Sequence, residues 1–155
     1  MAKRLAHEAD LHDRDFYSWA LRQAELVRAW RLGELDLENI AEELESLGKE
    51  QAHKLESAFR VLLVHLLEWR HQPQRRSRSW RGTIVRERNN VERVLEDNPG
   101  LKPRRNRLFA TAYRGTRKEA AAETGLRIAT FPEAPPFTLD QATDEDFWPE
   151  PDARS

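Results

Sequence analysis

A chain of 155 residues, 39% hydrophobic and 34% charged, has room for one core and needs broad solvated faces on its elements. It holds no cysteine, which excludes a disulfide framework, a thiolate metal site and a thiol nucleophile. The net charge of −1 conceals a segregation: residues 1–69 carry nine Lys and Arg against fourteen Asp and Glu, residues 70–127 sixteen against six, and residues 128–155 one against seven.

No stretch approaches about eighteen uninterrupted apolar residues, so no membrane-spanning helix is expected. The basic start MAKRLAHEADLHD has no apolar segment behind it, and the protein reads as cytoplasmic. A single all-α domain over residues 1–155 is expected, with residues 1–12 as a flexible N-terminus. The first helix starts after His12, read as its cap, with Leu11 and Phe16 spaced as a hydrophobic staple. Phe16, Trp19, Ala20, Gln23, Leu26, Val27 and Trp30 recur at three-and-four spacing to about Arg31, and Gly33 is the expected stop. Asp36 caps the next helix, where Leu37, Ile40, Ala41, Leu44 and Leu47 form one stripe. The rhythm resumes at Leu55, Ala58, Phe59, Leu62, Leu66 and Trp69. One helix from Leu37 to about Arg70 is expected, roughly 50 Å long, with Gly48 as the point where it would bend.

Pro73 ends that helix by removing an amide donor. Ser77 or Ser79 caps a third helix carrying Trp80, Ile84, Val91, Val94 and Leu95 to about Asp97. Asn98, Pro99 and Gly100 form a turn. A fourth helix opens near Pro103 and stops at Gly125. Residues 126–155 are proline-rich and cannot form a long helix. Thr138 and Gln141 have capping-box spacing, and Phe131, Phe137, Phe147 and Trp148 would be costly to leave in water. The expected architecture is a four-helix bundle crossed by a proline-rich C-terminal strap.

The words LDLENIAEELESLG, HLLEWRHQPQRRSRSW, FPEAPPFTLDQ and DEDFWPE resemble the bacterial family catalogued as domain of unknown function twenty-nine. The likeness runs from about Asp13 to Glu150. It implies an all-helical, non-membrane bacterial protein and carries over no catalytic residue.

Three functions compete on the residues themselves. Abundant Trp and segregated charge without a catalytic motif favour a non-catalytic interaction module that binds a protein partner or a second copy of itself. The cluster Arg70, His71, Arg75, Arg76, Arg78 and Arg81, bracketed by Trp69 and Trp80, has the chemistry for phosphate contact and base stacking. Its guanidinium groups suit the acidic flanks of the same chain equally well, and the near-neutral charge balance places that covered state first. A metal-dependent hydrolase would use Glu42, Glu43 and His65. Glu38, Glu42 and Glu45, however, turn away from the apolar stripe at about 100° per residue, and His53, His65 and His71 do not share a face. Glu43 lies nearer the apolar edge, and His65, between Leu62 and Leu66, needs a hydrogen-bond partner, for which Glu43 or Asn39 is the candidate in a polar pocket. No phosphate loop or nucleophile motif occurs, and no metal or cofactor is expected.

Overall fold

The computed structural model describes residues 11–152, and every regular element among them is helical. The long helices are α1 (Phe16–Arg28), α2 (Leu37–His71), α3 (Arg78–Asp97) and α4 (Arg105–Thr124), followed by a short α5 (Leu139–Thr143). Single 3-10 turns lie at Leu32–Glu34, Pro73–Arg75 and Ile128–Thr130, and a longer one at Pro99–Arg104. The chain divides into two compact units, Met1–Lys49 and Glu50–Ser155. Of the N-terminal segment expected to be flexible, residues 1–10 lie outside the described residues, while Leu11 and His12 are helical.

In the first unit the cap of α1 is Asp15, not His12. Asp15 adopts φ −151°, and its carboxylate accepts from the Ser18 backbone N–H at 3.0 Å and the Ser18 hydroxyl at 2.6 Å. Such a cap satisfies amides that the helix leaves without carbonyls. His12 faces elsewhere, with Nε2 2.8 Å from Glu43 Oε1 and its ring edge-on to Trp19 at 4.6 Å. The stop also differs from expectation: Trp30 takes the left-handed φ of 55°, and Gly33 lies in the following 3-10 turn.

Trp19, Gln23 and Leu26 form the buried side of α1. They meet the start of α2 through a polar knot. The Trp19 indole donates to Asp36 Oδ2 at 3.2 Å, the Asn39 side-chain amide donates to the same oxygen at 2.7 Å, and the Asp36 backbone N–H donates to Gln23 Oε1 at 2.9 Å. The Asn39 backbone N–H points at Asp36 Oδ1 at 3.5 Å, so Asp36 caps α2, as its position implied, while buried.

Helix α2 is unbroken for 35 residues, about 52 Å at 1.5 Å per residue. A Cβ built on Gly48 meets nothing within 4 Å. Gly48→Ala is therefore expected to raise stability by about 1 kcal/mol through helix propensity, checked by urea denaturation. An unchanged or lower midpoint would show that the glycine serves a purpose other than tolerance.

In the second unit α2 is the central element. Leu55, Phe59, Leu62, Leu63, Leu66 and Leu67 have no exposed surface, so here the helix is enclosed on more than the one stripe that spacing predicts. Ile84 and Val91 of α3 and Phe109, Ala112 and Tyr113 of α4 complete the core, with Phe59 and Phe109 edge-to-face at 5.4 Å. Ser77 is the cap of α3, accepting from the Trp80 N–H at 3.2 Å. Pro103 lies inside the preceding 3-10 turn rather than opening α4. Gly125 ends α4 with φ 73°, where a Cβ would be strained.

The proline-rich segment closes the core as a strap. Phe131, Phe137, Leu139 and Ala142 are buried against it, and Phe147 and Trp148 pack at its edge. Thr138 and Gln141 form a reciprocal capping box. The strap's backbone is held by side chains from the bundle: the Tyr113 hydroxyl donates to the Pro132 carbonyl at 2.7 Å and Arg117 Nε to the Phe131 carbonyl at 3.1 Å.

Candidate functional site

The sharp corner made by Pro73 and the Ser77 cap brings the arginine cluster onto the end of α2. Arg76 is folded back there: its Nε donates to the Trp69 carbonyl at 2.9 Å, Nη2 to the Pro149 carbonyl at 3.3 Å, and its guanidinium lies 4.9 Å from the centre of the Trp69 ring. Arg81 lies 5.0 Å from the Trp148 ring. Arg75 and Arg78 are exposed and Trp80 is half-buried. The tryptophan that pairs with Trp69 is Trp148, at 4.8 Å between centroids. Of the basic corner, Arg76 and Arg81 are thus engaged with the Pro149 carbonyl and the Trp148 ring of the strap, while Arg75 and Arg78 lie at the surface.

Arg88, which spacing did not single out, is the most committed cation. It is 4% exposed and donates to three strap carbonyls: Nε to Ala142 at 2.9 Å, Nη1 to Glu145 at 3.2 Å and Nη2 to Phe147 at 2.6 Å. Its guanidinium also lies 5.2 Å from the Trp148 ring. A cleft of about 310 Å³ opens beside it, lined by Arg81, Val85, Glu145, Asp146 and Trp148.

Behind the corner lies a cluster of buried polar groups. Glu68, at 3% exposure, is pushed up to about 7, first by burial and then by the hydrogen bond and charge of Glu123. His71 is kept below the usual histidine range by burial, against the pull of Asp152, whose Oδ2 is 3.5 Å from its Nδ1. The Gln72 amide donates to the Thr124 carbonyl at 3.1 Å. Glu68 Oε2, His71 Nε2 and Gln72 Oε1 have no hydrogen-bond partner among the described residues.

The other singled-out residues have separate settings. Glu43 belongs to the first unit and engages His12, raising the imidazole above its usual range. His65 belongs to the second unit, where its Nδ1 lies 3.1 Å from the Val61 carbonyl one turn back and 3.9 Å from Glu68 Oε2. Glu42 is exposed. Among the described residues no group of three or more His, Asp or Glu side chains could hold a metal ion.

A different kind of surface occupies the first unit. Among the described residues, nine of the eleven exposed large hydrophobics belong to it. Phe16, Tyr17, Leu21, Val27, Trp30 and Leu32 come from α1 and the turn after it, and Leu37, Leu44 and Leu47 from α2. Trp30 is 82% exposed and Tyr17 74%. For Phe16, Val27, Trp30, Leu37, Leu44 and Leu47 the periodicity that marked a core stripe reads identically for an outward one, while Tyr17, Leu21 and Leu32 lie outside that rhythm and spacing did not mark them.

An all-helical domain with no helix long and apolar enough to cross a membrane, among the described residues, is the class these features define. The chain belongs to the family described as domain of unknown function DUF29, whose model matches residues 11–148. No curated protein and no solved structure gives a significant match.

Proposed function

We propose that this protein is a non-catalytic interaction module whose docking surface is the outer face of the first unit. The observation that carries this reading is the apolar surface gathered there. Taking roughly 200 Å² for a fully exposed large side chain, those nine residues together expose about 1,000 Å², and large exposed apolar side chains concentrated in one unit mark an interaction site. Left in water, that area opposes solubility; covered, it drives association. Trp69, Arg76 and Arg81 are engaged with the strap, which supports placing the docking surface away from them.

Cross-linking in intact cells followed by peptide mapping tests this. Intermolecular links are expected to concentrate within residues 14–50. Links confined to the second unit, or a chain that remains unlinked, would overturn the reading.

A further inference from the structure

We infer that the outward face of α4 is a second binding surface, which takes the phosphate backbone of a nucleic-acid duplex. It lies in the second unit and is independent of the apolar docking face of the first. Residues 98–118 carry seven Lys or Arg and no Asp or Glu, and the helix sorts them. At about 100° per residue, Arg104 at the N-cap, Arg107, Arg114 and Lys118 fall within an arc of about 80°. The side on which Phe109, Ala112, Tyr113 and Thr116 are buried lies directly opposite. All four cations are exposed, and at 1.5 Å per residue they line about 21 Å of the helix.

None of the four has a hydrogen bond, ion pair or ring contact among the described residues. Two neighbouring cations do not join them: Arg117 donates to the Phe131 and Ile128 carbonyls, and Arg105 turns toward a cleft containing Glu92 and Asp140. The carboxylate that follows the stripe, Glu119, is paired with Arg60. The fold gains nothing from this placement. Arg104 and Arg107 stand at the positive end of the helix dipole, with no acid in the first turn, an arrangement unfavourable to the helix itself and complementary to an anionic partner.

What surrounds the cations identifies that partner. Between them lie Ala110, Thr111 and Gly115, and no exposed large hydrophobic belongs to α4. A protein partner is gripped by aromatic or aliphatic anchors, and a lipid surface by apolar residues that enter it; the stripe has neither. Its aromatic residues, Phe109 and Tyr113, are buried, which removes the stacking platform that a single strand needs. A duplex backbone asks only for a row of cations, and guanidinium forks match phosphate oxygens.

Fluorescence anisotropy on the full chain, with short DNA and RNA duplexes of mixed sequence, tests this. Both carry the phosphodiester, and the tighter of the two names the source. Four phosphate contacts give a slope of about −3.6 in log affinity against log salt, so binding is expected to weaken about a hundredfold from about 25 to about 100 mM. Arg107→Gln with Arg114→Gln is expected to lower affinity at least about tenfold at the lower salt and to make the slope shallower by about two. Both positions are exposed and glutamine suits a helix, so the melting temperature is expected to stay level or rise, which a structural role for these arginines would not allow. If that variant unfolds, Arg104→Gln with Lys118→Gln replaces it with the same expectations.

No binding to either duplex at the lower salt, an α4 variant that binds like the wild type, or a loss confined to Arg75→Gln with Arg78→Gln would each overturn the proposal. A single strand bound more tightly than the duplex would do the same. So would poly-glutamate or phosphatidylserine vesicles bound as tightly as the duplex, the first pointing to an acidic protein and the second to a membrane. None of these outcomes bears on cross-links within residues 14–50.

Discussion

Replacing Arg88 with lysine is expected to lower the unfolding free energy by about 2–4 kcal/mol and to expose the strap beyond Ala142 to proteases. The guanidinium satisfies carbonyls of Ala142, Glu145 and Phe147 at once, from a site that is 4% exposed. The Ala142 carbonyl belongs to the last turn of α5, where helical carbonyls have no partner within the helix. An ammonium keeps the positive charge but is a compact point with no planar fork. It can reach one or two of these oxygens, and each buried carbonyl left without a donor costs about 1–3 kcal/mol. Urea denaturation reads the first effect, and the rate of chymotryptic cleavage after Phe147 reads the second. Wild-type stability together with wild-type cleavage would show that Tyr113 and Arg117 hold the strap by themselves.

The second large effect concerns pH. Glu68 has a folded-state pKa of about 7, above its ordinary 4.5. A carboxyl whose pKa rises on folding stabilises the fold fully below the unfolded value. That contribution is lost as pH rises from about 4.5 through about 7, because the fold must then accommodate a buried negative charge on Glu68 beside Glu123. Glu68→Gln keeps the shape and supplies an amide donor for Glu123. It is expected to be nearly neutral at pH 4.5 and stabilising by on the order of 2–3 kcal/mol at pH 8. His71 runs in the opposite sense: its depressed pKa costs stability as pH falls below the ordinary histidine value of 6.5. For that reason the quantity to measure is the difference between wild type and variant at each pH, in which the histidine contribution cancels. A difference that stays flat from pH 4.5 to 8 would show that folding leaves the Glu68 pKa at its ordinary value.

What the sequence made legible was governed by local chemistry. Pro73, Thr138 with Gln141, and Gly125 each act within a turn of themselves and appear in the structure in the expected role, and of the two serines offered as the cap of α3, Ser77 is the one used. The continuity of α2 was readable because leucine spacing persists on both sides of Gly48. The start and stop of α1 were not, because Asp15 and His12 both precede an apolar rhythm and nothing in the residue type marks Trp30 for a left-handed backbone. The anchoring of the strap was foreseen only as burial of its aromatic residues. That it is held by Arg88 through bonds linking residues 54 to 59 positions apart is tertiary information. Glu68 was hidden for a related reason: one glutamate in the run LLVHLLEWR looks like a solvated position until α4 brings Glu123 beside it.

The unbroken ladder of α2 carries a consequence for native-state motion. Its later turns are locked by side chains with no exposed surface, so their amides can exchange with deuterium only when the whole domain opens. Its earlier turns lean on the small knot around Asp36 and should open in milder, local events. Protection factors along this single rod are therefore expected to step upward on passing Gly48, and filling the leucine stripe would flatten the step.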